Sequence, residues 1–150
     1  MPLPTLVFDL DETLVHSTEG SRDPDVHGRA GTDTKGYTRP VSIRLSDGKR
    51  LDVHVRPWAR TLLNELLDLQ RNRALRIGVW TAATSDYARK VVTLLLNRDE
   101  EIWRKQLLFL RTRRHCTDIG SRGRPRYVKD LQAIGPPSHR IALVDDNADN

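Results

Sequence analysis

Thr5-Leu6-Val7-Phe8 carries no charge and runs directly into Asp9-Leu10-Asp11-Glu12-Thr13. A short β-branched and aromatic run of this kind predicts a strand buried on both faces, and ligands of such sheets gather at the strands' carboxyl ends. Asp9 is the first residue past that end. Two carboxylates one residue apart do not belong in a core, because an unpaired buried charge is prohibitively costly. They need a cation, a proton or water between them, and a divalent metal supplies this most simply. The same residues also suit a helix start, with Asp11-Glu12-Thr13 as cap and first-turn acids before Leu14-Val15.

On the first reading the chemistry is phosphoryl transfer. Asp9, ionised at neutral pH because carboxylates titrate near pKa ~4, can attack phosphorus if Mg²⁺ neutralises the phosphate oxygens and aligns nucleophile and leaving group. Asp11 is then the acid and base, protonating the departing alkoxide and deprotonating the water that hydrolyses the aspartyl-phosphate.

Composition bounds the rest. The 150 residues, 37% hydrophobic and 30% charged, suit one globular domain with a single core. An apolar run of the ~18 residues needed to span a bilayer is absent, and Met1-Pro2-Leu3-Pro4 lacks the regions of a signal peptide, so a soluble intracellular protein is expected. One cysteine, Cys116, excludes an internal disulfide and a cysteine-based zinc site. The net charge of +5 is uneven: residues 111–129 hold Arg111, Arg113, Arg114, Arg122, Arg124, Arg126 and Lys129 against Asp118 alone, leaving the remainder slightly negative. Nucleic acid is a candidate partner for this segment.

Along the chain, Thr18 to Arg39 is rich in Gly, Asp and Thr and reads as a long loop beside the catalytic strand end. Val41-Ser42-Ile43-Arg44-Leu45 and Leu51-Asp52-Val53-His54-Val55 alternate apolar and polar residues around an Asp47-Gly48 turn signal, predicting a β-hairpin. Pro57 is set to begin a helix whose apolar stripe is Leu62, Leu63, Leu66, Leu67 and Leu69. Leu75 to Trp80 is a second buried strand ended by Thr81, and Thr84-Ser85-Asp86 can cap a helix through Tyr87, Val91, Val92 and Leu95. Asp99 to Leu110 predicts a short helix whose end could finish as a strand. A loop follows from Thr112 to Arg126, and Tyr127-Val128-Lys129-Asp130-Leu131 is expected to begin a helix stopped by Gly135-Pro136-Pro137. Arg140-Ile141-Ala142-Leu143-Val144 is a third strand, running into Asp145-Asp146. Three apolar strands, each ended by a carboxylate or hydroxyl and separated by helices, predict an α/β fold: a Rossmann-like parallel sheet flanked by helices, with the hairpin inserted.

Phe8-Asp9-Leu10-Asp11-Glu12-Thr13-Leu14-Val15-His16-Ser17 resembles the opening motif of the FCP/SCP-type phosphatases of the haloacid-dehalogenase superfamily. These act on phosphoserines of the RNA polymerase II C-terminal domain and related proteins. The resemblance covers roughly residues 5–146. It implies that the Thr81 hydroxyl contacts the phosphate, that Lys129 binds the substrate or aspartyl phosphate, and that Asp145 helps hold lysine and water. It implies a Mg²⁺ site of Asp9, the Asp11 carbonyl and Asp146, an oxygen-only set as that ion demands. It also implies substrate contacts by Tyr87 and Arg113, and a phosphoprotein or phosphopeptide as substrate. The chain departs from the family in a longer and more basic stretch between Cys116 and Lys129. It departs again after Asp146, where the family continues with a strand and helix; on this reading either the sequence is truncated or the fold is minimal.

Three rivals stand beside this reading. Cys116 to Arg122 fits the Cys-x5-Arg pattern of thiolate phosphatases, but no apolar strand precedes it, Pro125 obstructs the following helix and Asp118 would repel phosphate. A catalytically silent phosphoprotein-binding module has no use for the full acid set. A nucleic-acid 3′-phosphatase of the same superfamily would use the basic segment to follow a phosphate backbone, although few aromatics are available for base stacking.

Overall fold

The computed structural model describes residues 2–20, 39–135 and 140–147. Strand β1 (Thr5–Phe8) lies inside a parallel sheet, between β5 (Arg76–Trp80) and β9 (Ile141–Val144), with β6 (Leu110–Arg111) beyond β5. The register sets Phe8 beside Val79 on one flank and Val144 on the other, so three strands end at one level. This is the α/β sheet that the apolar runs predict. Its carboxyl edge carries Asp9, Thr81 and Asp145.

The hairpin is present as β3 (Val41–Arg44) and β4 (Arg50–Val55), but it is two-thirds of a three-stranded antiparallel sheet. The third member, β2 (Val15–Glu19), pairs with β4 from Val15↔Val55 to Glu19↔Leu51. Thr18 and Glu19 are therefore strand, not loop; residues 21–38 of the expected loop lie outside the described residues. The helix-start reading of Asp11 to Val15 fails for the same reason, since the chain turns through Glu12 at φ 61° and re-enters a strand.

Helix α1 (Ala59–Arg71) starts two residues later than Pro57 suggests. Before it, the Arg56 N–H donates to Leu14 O at 2.9 Å, its guanidinium donates to Thr13 O and Glu12 O, and Trp58 takes a left-handed φ of 72°. The chain is thus tied to the turn after Asp11 before a helix can begin. Of the expected stripe, Leu63 and Leu67 are buried, while Leu62 and Leu69 are 41% and 44% exposed. The buried face is narrower than five leucines imply.

Helices α2 (Ser85–Leu96) and α3 (Glu100–Gln106) follow β5, and the main core joins both sheets through Phe8, Val15, Val53, Ile77, Val91, Leu95 and Trp103. Each fully buried aliphatic side chain of this kind contributes roughly 1.5–3 kcal/mol. Thr84 is the cap residue of α2, although its side chain makes no cap bond; Asp86 in the first turn instead accepts the Ser46 N–H at 2.8 Å and fastens the hairpin to the helix. Gly78 in β5 lets the Phe109 ring lie against the strand, for a Cβ there would stand 2.5 Å from ring atoms.

The expected helix at Tyr127 is absent. Tyr127–Val128 form β8, antiparallel to β7 (Thr117–Asp118), and only a 3₁₀ turn, Leu131–Ile134, follows. Backbone groups that a helix would satisfy internally are satisfied across the ribbon instead. The stretch expected to be a loop also contains a 3₁₀ turn, Arg113–His115, closed by a reciprocal Thr112–His115 capping box. No helix among the described residues is long and apolar enough to cross a membrane.

Candidate active site

Asp9 leaves the end of β1 with its N–H bonded to Val144 O at 2.9 Å, so the carboxylate stands between the flanking strands. It is 6% exposed, and Lys129, 5% exposed, donates from Nζ to its Oδ1 at 2.7 Å. The same ammonium donates to Asp145 Oδ2. Lys129 thus bridges two carboxylates, and it follows a strand where the sequence predicts a helix start. Burial pushes the Asp9 carboxyl up to about 6, against the hydrogen bond and charge of Lys129.

Asp146 is exposed, its N–H donating to Thr13 Oγ1 at 3.1 Å. Asp9, Asp145 and Asp146 each place a carboxylate oxygen within 4.8 Å of the others. One ammonium against three carboxylates leaves an excess of negative charge on hard oxygen donors. Its exposed member can leave part of a coordination sphere to water, which fits Mg²⁺. The Asp11 carboxylate is not in this cluster; what the resemblance draws from Asp11 for the metal is its backbone carbonyl.

Asp11 faces α2. It accepts the Tyr87 hydroxyl, and since that proton is committed, Ser17 must donate to Tyr87 across the 2.5 Å contact between their oxygens. Burial raises the Asp11 carboxyl, opposed by the Tyr87 bond. A carboxyl held this way retains its proton more readily than an exposed one, as a general acid must. Burial and the Asp11 charge hold the Tyr87 phenol well above its ordinary value, so it stays a donor.

Thr81, 1% exposed, ends β5 with its N–H on Arg111 O at 3.0 Å. Its Oγ1 accepts the Ala83 N–H at 3.1 Å and keeps its own proton to donate. Arg113 sits at the rim, its Nε on Ala82 O at 2.8 Å and its guanidinium 5.2 Å from the Tyr127 ring centre. The structure thus brings together Asp9, Asp11, Thr81, Tyr87, Lys129, Asp145 and Asp146, with Arg113 beside Thr81's loop. Thr13, Ser17 and Arg56 also support the site, though no sequence pattern assigns them a role. Thr13 and Ser17 both lie inside the motif from Phe8 to Ser17, but the hydrogen bonds of Ser17 and Arg56 span 70 and 43 residues, which local patterns do not show.

Cys116 follows the 3₁₀ turn, its thiol directed at Thr81 O and Thr112 O at 3.9 Å, and burial raises its pKa. Strand β7, not an anion-binding helix, comes next. The thiolate reading loses its physical basis.

A model of the NLI interacting factor-like phosphatases matches residues 4–150. The chain belongs to this family. Among curated relatives of this NLI interacting factor-like chain, the CTD nuclear envelope phosphatase 1 homolog of Drosophila melanogaster is 33% identical over 95% of the chain and 52% of its own length. The nuclear envelope morphology protein 1 of Schizosaccharomyces pombe is 27% identical over 98% of the chain and 26% of its length. The chain thus spans about a quarter to a half of these relatives. Its fold is that of the fission yeast RNA polymerase II CTD phosphatase Fcp1 bound to beryllium fluoride, with a TM-score of 0.65 at 18% identity over 98% of this chain and 38% of that one.

Proposed function

We propose that the chain is a Mg²⁺-dependent phosphatase for phosphoserine or phosphothreonine in protein. The observation that carries this is the sharing of Lys129 between Asp9 and Asp145 at the carboxyl edge of a parallel sheet, with a third carboxylate, Asp11, held apart by Tyr87. Asp9, Asp146 and the Asp11 carbonyl would hold Mg²⁺, which would supply neutralisation of the phosphate oxygens.

Lys129 and the Thr81 hydroxyl orient the phosphate, and an Asp9 oxygen attacks phosphorus as the bond to the serine oxygen breaks. Asp11 gives its proton to that oxygen. It then takes a proton from water, whose oxygen attacks the same phosphorus; the bond to Asp9 breaks, and inorganic phosphate leaves with the carboxylate restored.

The test sets two variants side by side on a phosphoserine peptide. Asp9→Asn is expected to lower turnover by on the order of 10⁴–10⁶-fold with the fold retained, and Cys116→Ser to leave it largely intact. EDTA should silence the wild type and Mg²⁺ restore it. Activity that survives EDTA and Asp9→Asn would sink the carboxylate mechanism.

A further inference from the structure

The ribbon between Cys116 and Lys129 is more than a connection. Beyond the β7–β8 pairs, the Ile119 N–H donates to Arg126 O at 2.9 Å, the Arg124 N–H donates to Ser121 O at 2.9 Å, and Ser121 bridges Arg124. Asp118, its one acid, accepts the N–H groups of Gly120 and Arg126 at 2.9 and 3.0 Å and so serves the ribbon's own backbone. A Cβ at Gly120 would meet Arg124 O at 2.1 Å, and Gly123 turns the tip at φ +82°. This is a built hairpin with a defined path. On it Arg122 and Arg124 are exposed, as is Arg114 just before it, and among the described residues none of the three is held by an acid.

The ribbon's root is the active site, since β8 delivers Lys129 directly to Asp9. Arg124 stands five residues from Lys129, roughly 17 Å along an extended strand, and a bound extended peptide rises by the same ~3.3 Å per residue. An anionic group about three to five residues from the phosphorylated side chain therefore comes within reach of the ribbon. Guanidinium groups suit carboxylate and phosphate alike. A nucleic acid fits less well: the ribbon's one aromatic ring, Tyr127, is half-buried with the Arg113 guanidinium 5.2 Å from its centre, which leaves little face for bases.

We propose that the ribbon from Thr117 to Val128, with Arg114 at its root, is a docking site for acidic residues flanking the phosphorylated residue of a polypeptide substrate. This rests on the phosphatase reading above and narrows its substrate class. The test uses three phosphoserine peptides: neutral flanks, a glutamate pair three to five residues before the phosphoserine, and the same pair after it. The expected result is a KM about tenfold lower for one acid-flanked peptide, with similar kcat and a preference that fades at high salt. The ratio between peptides should approach one when Arg114, Arg122 and Arg124 are changed to Ser, and persist when they are changed to Lys. Equal KM values for the three peptides, or a preference that survives the Ser changes, overturns the proposal. So does stronger competition by an oligonucleotide or by phosphatidylserine vesicles than by an acidic peptide. Fluorescence anisotropy of the peptides on Asp9→Asn protein reads the same preference without turnover. A wild type that hydrolyses none of the peptides therefore defeats the phosphatase reading, while the ribbon is still judged by binding.

Discussion

Asp9 and Lys129 meet at 2.7 Å, yet they arrive on supports of opposite kind. Asp9 continues a strand with a parallel neighbour on each side, largely buried and packed into the core. Lys129 follows a two-residue strand in a separate ribbon. One half of the site is held by packing and by a sheet ladder. The other meets it through one ammonium shared between two carboxylates. A buried ion pair is weak evidence of stability, but its members depend on each other once formed.

Removing the ammonium breaks this arrangement most severely. Lys129→Ala leaves Asp9 and Asp145 facing each other uncompensated and should cost about 3–5 kcal/mol, read from chemical denaturation, with earlier proteolysis in the ribbon than in the sheet. A loss below 1 kcal/mol would show that packing, not charge, holds the ribbon.

The pH dependence sharpens the same contrast. In EDTA the unfolded chain releases the Asp9 proton near 3.8, while the native state keeps it to about 6. Between these values the native state binds more protons, so this group's contribution is present at low pH and is lost as pH rises. The loss is on the order of 3 kcal/mol. Urea midpoints from pH 4 to 7 should fall in the wild type and fall less in Asp9→Asn; parallel curves would count against burial as the cause.

On the packed side, Gly78→Ala forces a Cβ into the Phe109 ring and should cost roughly 1–3 kcal/mol without altering that pH dependence. The smallest effect falls on Asp11. Tyr87→Phe removes its donor and should lower kcat by about tenfold, with little change in melting temperature. A change confined to KM would make Tyr87 a substrate contact only.

What the sequence reveals follows the same division. β1, β5 and β9 are legible because each is an apolar run with an abrupt polar end, and their ends name Asp9, Thr81 and Asp145. β2 is not, because Val15-His16-Ser17-Thr18-Glu19 is mostly polar and becomes a strand only by pairing with β4, more than thirty residues on. Lys129 is legible by motif but not in its setting, since the run from Tyr127 to Leu131 before Gly135-Pro136-Pro137 imitates a helix while the backbone of Tyr127–Val128 is claimed by Thr117–Asp118. The motif and the resemblance single out Ser17, Tyr87 and Asp11 separately, but no local pattern shows that their side chains meet.

The register of the central strand carries a consequence for the order of events during synthesis. Thr5 pairs with Arg76 on one side and with Ile141 on the other, so the second partner lies 136 residues away in the chain. Contacts of such separation form late, because the loop they close must be ordered first. A nascent chain that has released β1, the insertion and β5 from the ribosome can form most of its core and still lack Lys129, Asp145 and Asp146. On the proposed function, phosphate chemistry would then switch on only after β9 has emerged and docked, which keeps a half-made site from acting on phosphorylated neighbours.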